Sequence, residues 1–151
     1  MKKTFLLPIL LLAALWMTGC ALLSPGGGRT VTLEGDQRDE ALLYAQPKAE
    51  GLLQGLIEGD YEQFALDFDP TMKSGMDQTA FENLKETFSV KLGDYQSHSV
   101  QTVLQNNTYT FVIYQMVFEK DDAVTMRVVL DKNEPHLITG LWFDSPELRK
   151  N

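Results

Sequence analysis

Cysteine is almost absent from this chain: Cys20 stands alone among 151 residues. No intrachain disulfide can form, and the region beyond Cys20 offers no thiol nucleophile. Histidine is nearly as scarce, with only His98 and His136. They fall in different predicted strands, on opposite faces, so neither a metal nor any other cofactor is expected. No Gly-x-Ser-x-Gly elbow occurs. Basic residues are the minority charge, 13 Lys and Arg against 21 Asp and Glu, giving a formal charge of −8. Nucleic-acid binding depends on neutralising phosphates with Lys and Arg, so nucleic acid is not an expected partner. The same sign disfavours broad contact with an anionic lipid surface.

Long apolar runs are missing too, with one exception at the start. Lys2 and Lys3 precede Phe5–Met17, an uncharged stretch broken only by Pro8. Its length suits the core of a secretory signal, about 7–15 residues. A spanning helix needs about 20. Directly after it, Met17-Thr18-Gly19-Cys20 resembles the lipobox of bacterial lipoproteins, with Met in place of the usual Leu. The resemblance implies cleavage before Cys20 and a lipid on its sulfur, with two or three acyl chains, palmitate-type among them. One chain alone would hold only marginally. It also removes the hazard of a lone thiol outside the cytoplasm. The expected localisation is extracytoplasmic, anchored to the bacterial cell membrane. Nothing in the residues after Cys20 distinguishes the cytoplasmic from the outer membrane.

The remaining chain is divided as follows. Residues 1–19 form the signal peptide, and 20–37 the lipidated cysteine and a flexible tether containing Ser24-Pro25-Gly26-Gly27-Gly28. Residues 38–145 form one α+β domain, and 146–151 a frayed tail. Helical spacing of Leu42, Ala45, Ala49, Leu52 and Leu56 predicts a helix over 38–58, kinked or begun at Pro47 and stopped by Gly59. Asp60 with Gln63 has capping-box spacing for a short second helix, which Asp69-Pro70 is expected to end. Asp77 or Thr79 caps a third helix that buries Phe81, Leu84 and Phe88. From Tyr95 the pattern turns to strands: Tyr95–Gln105, Thr108–Glu119, Ala123–Asp131 and His136–Phe143. The fold class expected is three N-terminal helices packed on one face of a curved four-stranded antiparallel meander.

Regular hairpins would set Tyr114 opposite Arg127. One sheet face then carries Val100, Leu104, Phe111, Ile113, Val124, Met126, Val128 and Leu130, and is assigned to the helices. The other carries Ser99, Tyr114, Met116, Arg127 and Trp142. Tyr, Trp, Met and Arg are enriched at interfaces, so these five residues are the candidate binding face, for a protein partner or a second copy of the chain. A solvated face with stray large side chains is the competing reading.

This order of elements resembles the cone-shaped α+β superfamily named after nuclear transport factor two. Within it, the chain is similar to an uncharacterised domain family found in bacterial lipoproteins and beside secreted hydrolases. The similarity is carried by Leu52–Tyr61 (LLQGLIEGDY), Phe68–Met72 (FDPTM), Leu84–Gly93 with Tyr95, and Ile138–Phe143 (ITGLWF). It implies no reaction. Some superfamily relatives use an Asp or His in a cavity between helices and sheet, but the inner face read here offers only apolar residues, Thr102, Thr139 and Gln115. Asp67 and Asp69 read as helix termination and turn, and Asp131-Lys132-Asn133-Glu134 as a hairpin turn. A non-catalytic binding or assembly module is the leading expectation. A carrier of a small apolar ligand comes second, and a small isomerase or hydratase third.

Overall fold

The computed structural model describes residues 29–150; the signal-like leader, Cys20 and the glycine-rich spacer lie outside them. Helix α1 (Gly35–Glu58) runs unbroken through Pro47 and buries Ala41, Ala45, Ala49, Leu52, Leu53 and Leu56. The three alanines bring its backbone close to its neighbours, and each leucine contributes roughly 1.5–3 kcal/mol by burial. Gly59, with φ of 78°, ends the helix in the left-handed conformation, which costs glycine little. Asp60 then caps α2 (Tyr61–Phe64), its carboxylate accepting from the Gln63 N–H at 3.1 Å. The capping box stays half made, because the Gln63 amide donates to the Gly51 carbonyl instead.

Asp69-Pro70 opens a helix where the sequence suggested an ending. Asp69 caps α3 (Pro70–Gly75) by accepting from the Met72 N–H at 2.6 Å. Pro70 sits at the first helical position, where a missing N–H costs nothing. Asp77, the first of the two expected caps, starts α4 (Gln78–Lys91) and accepts from Ala80 N–H. Phe81 and Phe88 are buried from it. Among the described residues the expectation of three helices is thus corrected to four.

Among the described residues five strands, not four, form one antiparallel sheet in sequence order. They are β1 (Val31–Thr32), β2 (Tyr95–Gln105), β3 (Tyr109–Phe118), β4 (Val124–Asp131) and β5 (Ile138–Asp144). The added strand comes from the stretch read as tether. Val31 pairs with Gln105 and Thr32 with Leu104. Leu33 is buried, its N–H donating to the Val103 carbonyl. The far end is also packed rather than frayed. Ser145 is buried, Leu148 lies against the core, and Glu147 N–H donates to Asp121.

The register between β3 and β4 differs by one residue from that expected: Tyr114 pairs with Met126 and Ile113 with Arg127. Because side chains alternate, a one-residue slip exchanges the faces of a strand. Val112, Tyr114, Met116 and Phe118 therefore turn toward the helices, while Val124, Met126, Val128 and Leu130 stay there as expected. Irregularities in β2 and in the β4–β5 pairing shift register again, between Val100 and Thr102 and between Val129 and Leu130. Phe68 bridges Ile138, tying the α2–α3 connection to β5.

Candidate functional site

The slip splits the five predicted face residues into two groups. Ser99 remains exposed on the sheet side away from the helices, with Arg127 and Trp142. Arg127 and Trp142 are cross-strand partners. The Arg127 guanidinium carbon lies 4.4 Å from the centre of the Trp142 ring, a cation–π contact. Trp142 is nonetheless 50% exposed. Tyr114 and Met116 are corrected to the opposite face, where both are fully buried. Thr102 and Gln115 likewise leave the helix side: Thr102 pairs with Ile113, and the Gln115 amide donates to the Asp122 carbonyl.

The helix side gains polar groups that the expected register concealed. His98 pairs with Met116 across the strands. Its ring stands edge-on to Tyr114, centroids 5.5 Å apart, and its Nδ1 shares a 2.7 Å hydrogen bond with the Tyr95 hydroxyl. Among the described residues the buried Tyr114 hydroxyl has no hydrogen-bond partner. Burial pushes the phenols of Tyr95 and Tyr114 upward, and the carboxylate of Glu50 on α1 pushes both further. Like charge and a dry surrounding both disfavour a phenolate, so both hydroxyls stay protonated.

Beside this cluster runs a groove of about 230 Å³ between α1, α4 and the sheet. Leu53, Leu56, Phe88, Tyr95, Met116 and Phe118 supply apolar walls, with Lys85 and Asp94 also lining it. Lys85 extends over Gly59 at the C-terminal end of α1, where a cation is favoured by the helix dipole. A second depression of about 430 Å³ lies on the helix exterior around Gln78, Glu82 and Glu86. It has no share in the sheet's polar cluster.

His136 also faces the helices, stacking on Tyr44 at 3.8 Å, and so does not oppose His98 across the sheet as expected. The two rings sit at opposite ends of β3, since Tyr44 bonds Thr110 while His98 meets Met116. Among the described residues no three His, Cys, Asp or Glu gather as a metal site. Asp69 is spent as a cap, and Asp67 is ion-paired with Lys48. The Lys48–Asp67 pair had no sequence signal, because Lys48 lies on α1 and Asp67 in the turn between α2 and α3.

A family model described as "Protein of unknown function (DUF3887)" matches residues 49–136. The chain belongs to that family. The DUF3887 match takes in Glu50, the Tyr95–His98–Tyr114 cluster and Arg127, and stops before Trp142. No curated protein and no solved structure matches the chain.

Proposed function

We propose that this is a bacterial lipoprotein, held outside the cytoplasm by a lipid on Cys20, whose domain is a non-catalytic binding module for a protein partner. The leader ending at Met17-Thr18-Gly19-Cys20 supports the anchor. Among the described residues no helix is long and apolar enough to cross a membrane. The layout of helices followed by a curved antiparallel sheet supports membership of the superfamily named after nuclear transport factor two. The observation that carries the binding role is Trp142, half exposed yet held by Arg127. A large aromatic presented in a fixed position loses little freedom on binding and makes an effective anchor.

Mass spectrometry of the N-terminal peptide from the bacterial host should find Cys20 acylated. A chain beginning at Met1 with a free thiol contradicts the anchor. Pull-down from host membranes should recover a partner that Arg127→Glu combined with Trp142→Ala loses. If the doubly substituted chain remains folded and retains every partner, the outer face is not the binding surface.

A second reading, a carrier of a small apolar ligand, is favoured by the groove between α1, α4 and the sheet. Its volume lies below the roughly 300–1,000 Å³ of drug-sized pockets, so its ligand is small.

A further inference from the structure

We propose that the free edge of β2, with the groove beside it, seats an extended peptide segment of a protein partner. The segment adds a strand to the sheet and sets one large apolar side chain into the groove. This seat lies apart from Trp142, which is on β5, and does not rest on it. β1 covers only the last part of β2: Val31 and Thr32 pair with Gln105 and Leu104, and Leu33 bonds Val103. Among the described residues no strand pairs with the outer edge from Tyr95 to Thr102. Phe118 N–H donates to Asp121 in the β3–β4 turn. By alternation Met116 and Tyr114 direct their backbone groups the same way, so their β2 partners His98 and Val100 direct theirs outward. An added strand therefore meets two N–H and two C=O groups.

Sheet edges are commonly guarded by charge, proline or cover. The other edge of this sheet is guarded: Ile138 N–H donates to Asp67, its carbonyl accepts from Asp69, and Asp144 is paired with Arg149. β2 carries no Asp, Glu, Lys, Arg or Pro along its whole length. Irregularities at Tyr95–Ser97 and Val100–Thr102 confine its regular run to Ser97–Val100, so the segment it takes is short. The helix layer also stops short of this edge. Tyr114 and Met116 on β3 are fully buried, but their neighbours on the same face of β2, Tyr95, His98 and Val100, are only half-buried. The groove adjoins this shelf through Tyr95 and through Met116, the cross-strand partner of His98. Phe118, Leu56, Ile57 and Phe88 continue its wall. Its volume of about 230 Å³ is small for a drug-sized ligand and suits a single large side chain. Side chains of an added strand alternate between the shelf and the outer side, where Ser97 and Ser99 are exposed. The partner segment therefore carries an apolar residue flanked by polar ones. A second copy of the chain is a poorer occupant, because the Tyr95 and Val100 of its own β2 are already packed on its own core.

A phage-displayed library of random short peptides, panned against the full chain, should yield binders that share one large apolar residue between polar ones. A synthesised binder should slow hydrogen exchange at the His98 and Val100 amides and shift the Met116 methyl resonance. N-methylation of its backbone where it pairs with β2 should weaken binding about tenfold or more. Ile57→Glu, a change at a half-exposed groove wall, should weaken it as much by placing a charge where the side chain docks. Binders that protect neither amide, or that perturb Trp142 instead, overturn the seat and leave the outer-face reading standing. An N-methylated binder that holds equally well overturns strand addition, and so does a library that enriches nothing. Protection of both amides that appears without peptide and grows with protein concentration assigns the edge to a second copy and overturns the peptide assignment.

Discussion

Gly140 leaves the space that the Trp142 ring fills: a β-carbon at position 140 would stand 2.5 Å from Cζ3 of that ring. Gly140 is buried while Trp142, two residues on, is half exposed. The indole thus covers bare backbone on one side and meets the Arg127 guanidinium on the other. An exposed aromatic that would otherwise sample several rotamers is given one seat. On the outer face the sheet therefore presents a fixed pair, not two mobile side chains.

Gly140→Ala should unseat the ring. Its half-exposed side chain can swing into water, so the loss of stability is expected near the low end of overpacking, about 1 kcal/mol. In the chain from Cys20 onward Trp142 is the sole indole, and its emission should shift to the red. Unchanged emission would mean the ring does not depend on Gly140.

Much of the layer order was legible from local signals. Gly59, Asp60 and Asp77 act as the punctuation their chemistry implies, and the strands lie within a few residues of their expected bounds. The faces of β3 were not legible. Phe111, Ile113 and Val117 alternate with Val112, Tyr114, Met116 and Phe118, so both faces are apolar and hydrophobic periodicity cannot choose between them. The choice rested on the length of the turn at Glu119–Asp122, and one residue there moved Tyr114 and Met116 from the outer face to the core. The helix-side cluster was hidden by that error, since His98 and Tyr114 are brought together only by the observed pairing.

Asp121 is the lock for the C-terminal segment. Burial alone would raise its carboxyl. N–H groups of Ala123 and Glu147, the Ser145 hydroxyl and the Lys150 charge outweigh that and hold it below the usual carboxylate range. A group depressed on folding contributes stability above its unfolded value, about 3.9, and loses it as pH falls through the folded one. Asp121→Asn should therefore cost about 1–3 kcal/mol at pH 7. The gap between the two urea midpoints should close as the pH is lowered below about 4. A gap that persists at pH 2 would assign the loss to packing rather than to the charge.

Pro47 sits exposed inside α1 and cannot donate to the Leu43 carbonyl one turn earlier. An interior proline costs a helix about 3 kcal/mol, while its stiffening of the unfolded chain returns up to about 1 kcal/mol. Pro47→Ala should then stabilise the domain by about 2 kcal/mol, visible as a higher denaturant midpoint at unchanged slope. No gain would show that α1 has already adjusted around the proline.

The Tyr114 hydroxyl should weigh against stability. Its ring fills the core against His98, while its hydroxyl finds no partner among the described residues. Removing that oxygen leaves the packing in place and relieves an unmatched buried group, a gain of about 1 kcal/mol or more. Tyr114→Phe is thus expected to raise the unfolding midpoint of the ligand-free chain, the reverse of most core substitutions. Should Tyr114→Phe destabilise the chain, the hydroxyl is already satisfied within the fold.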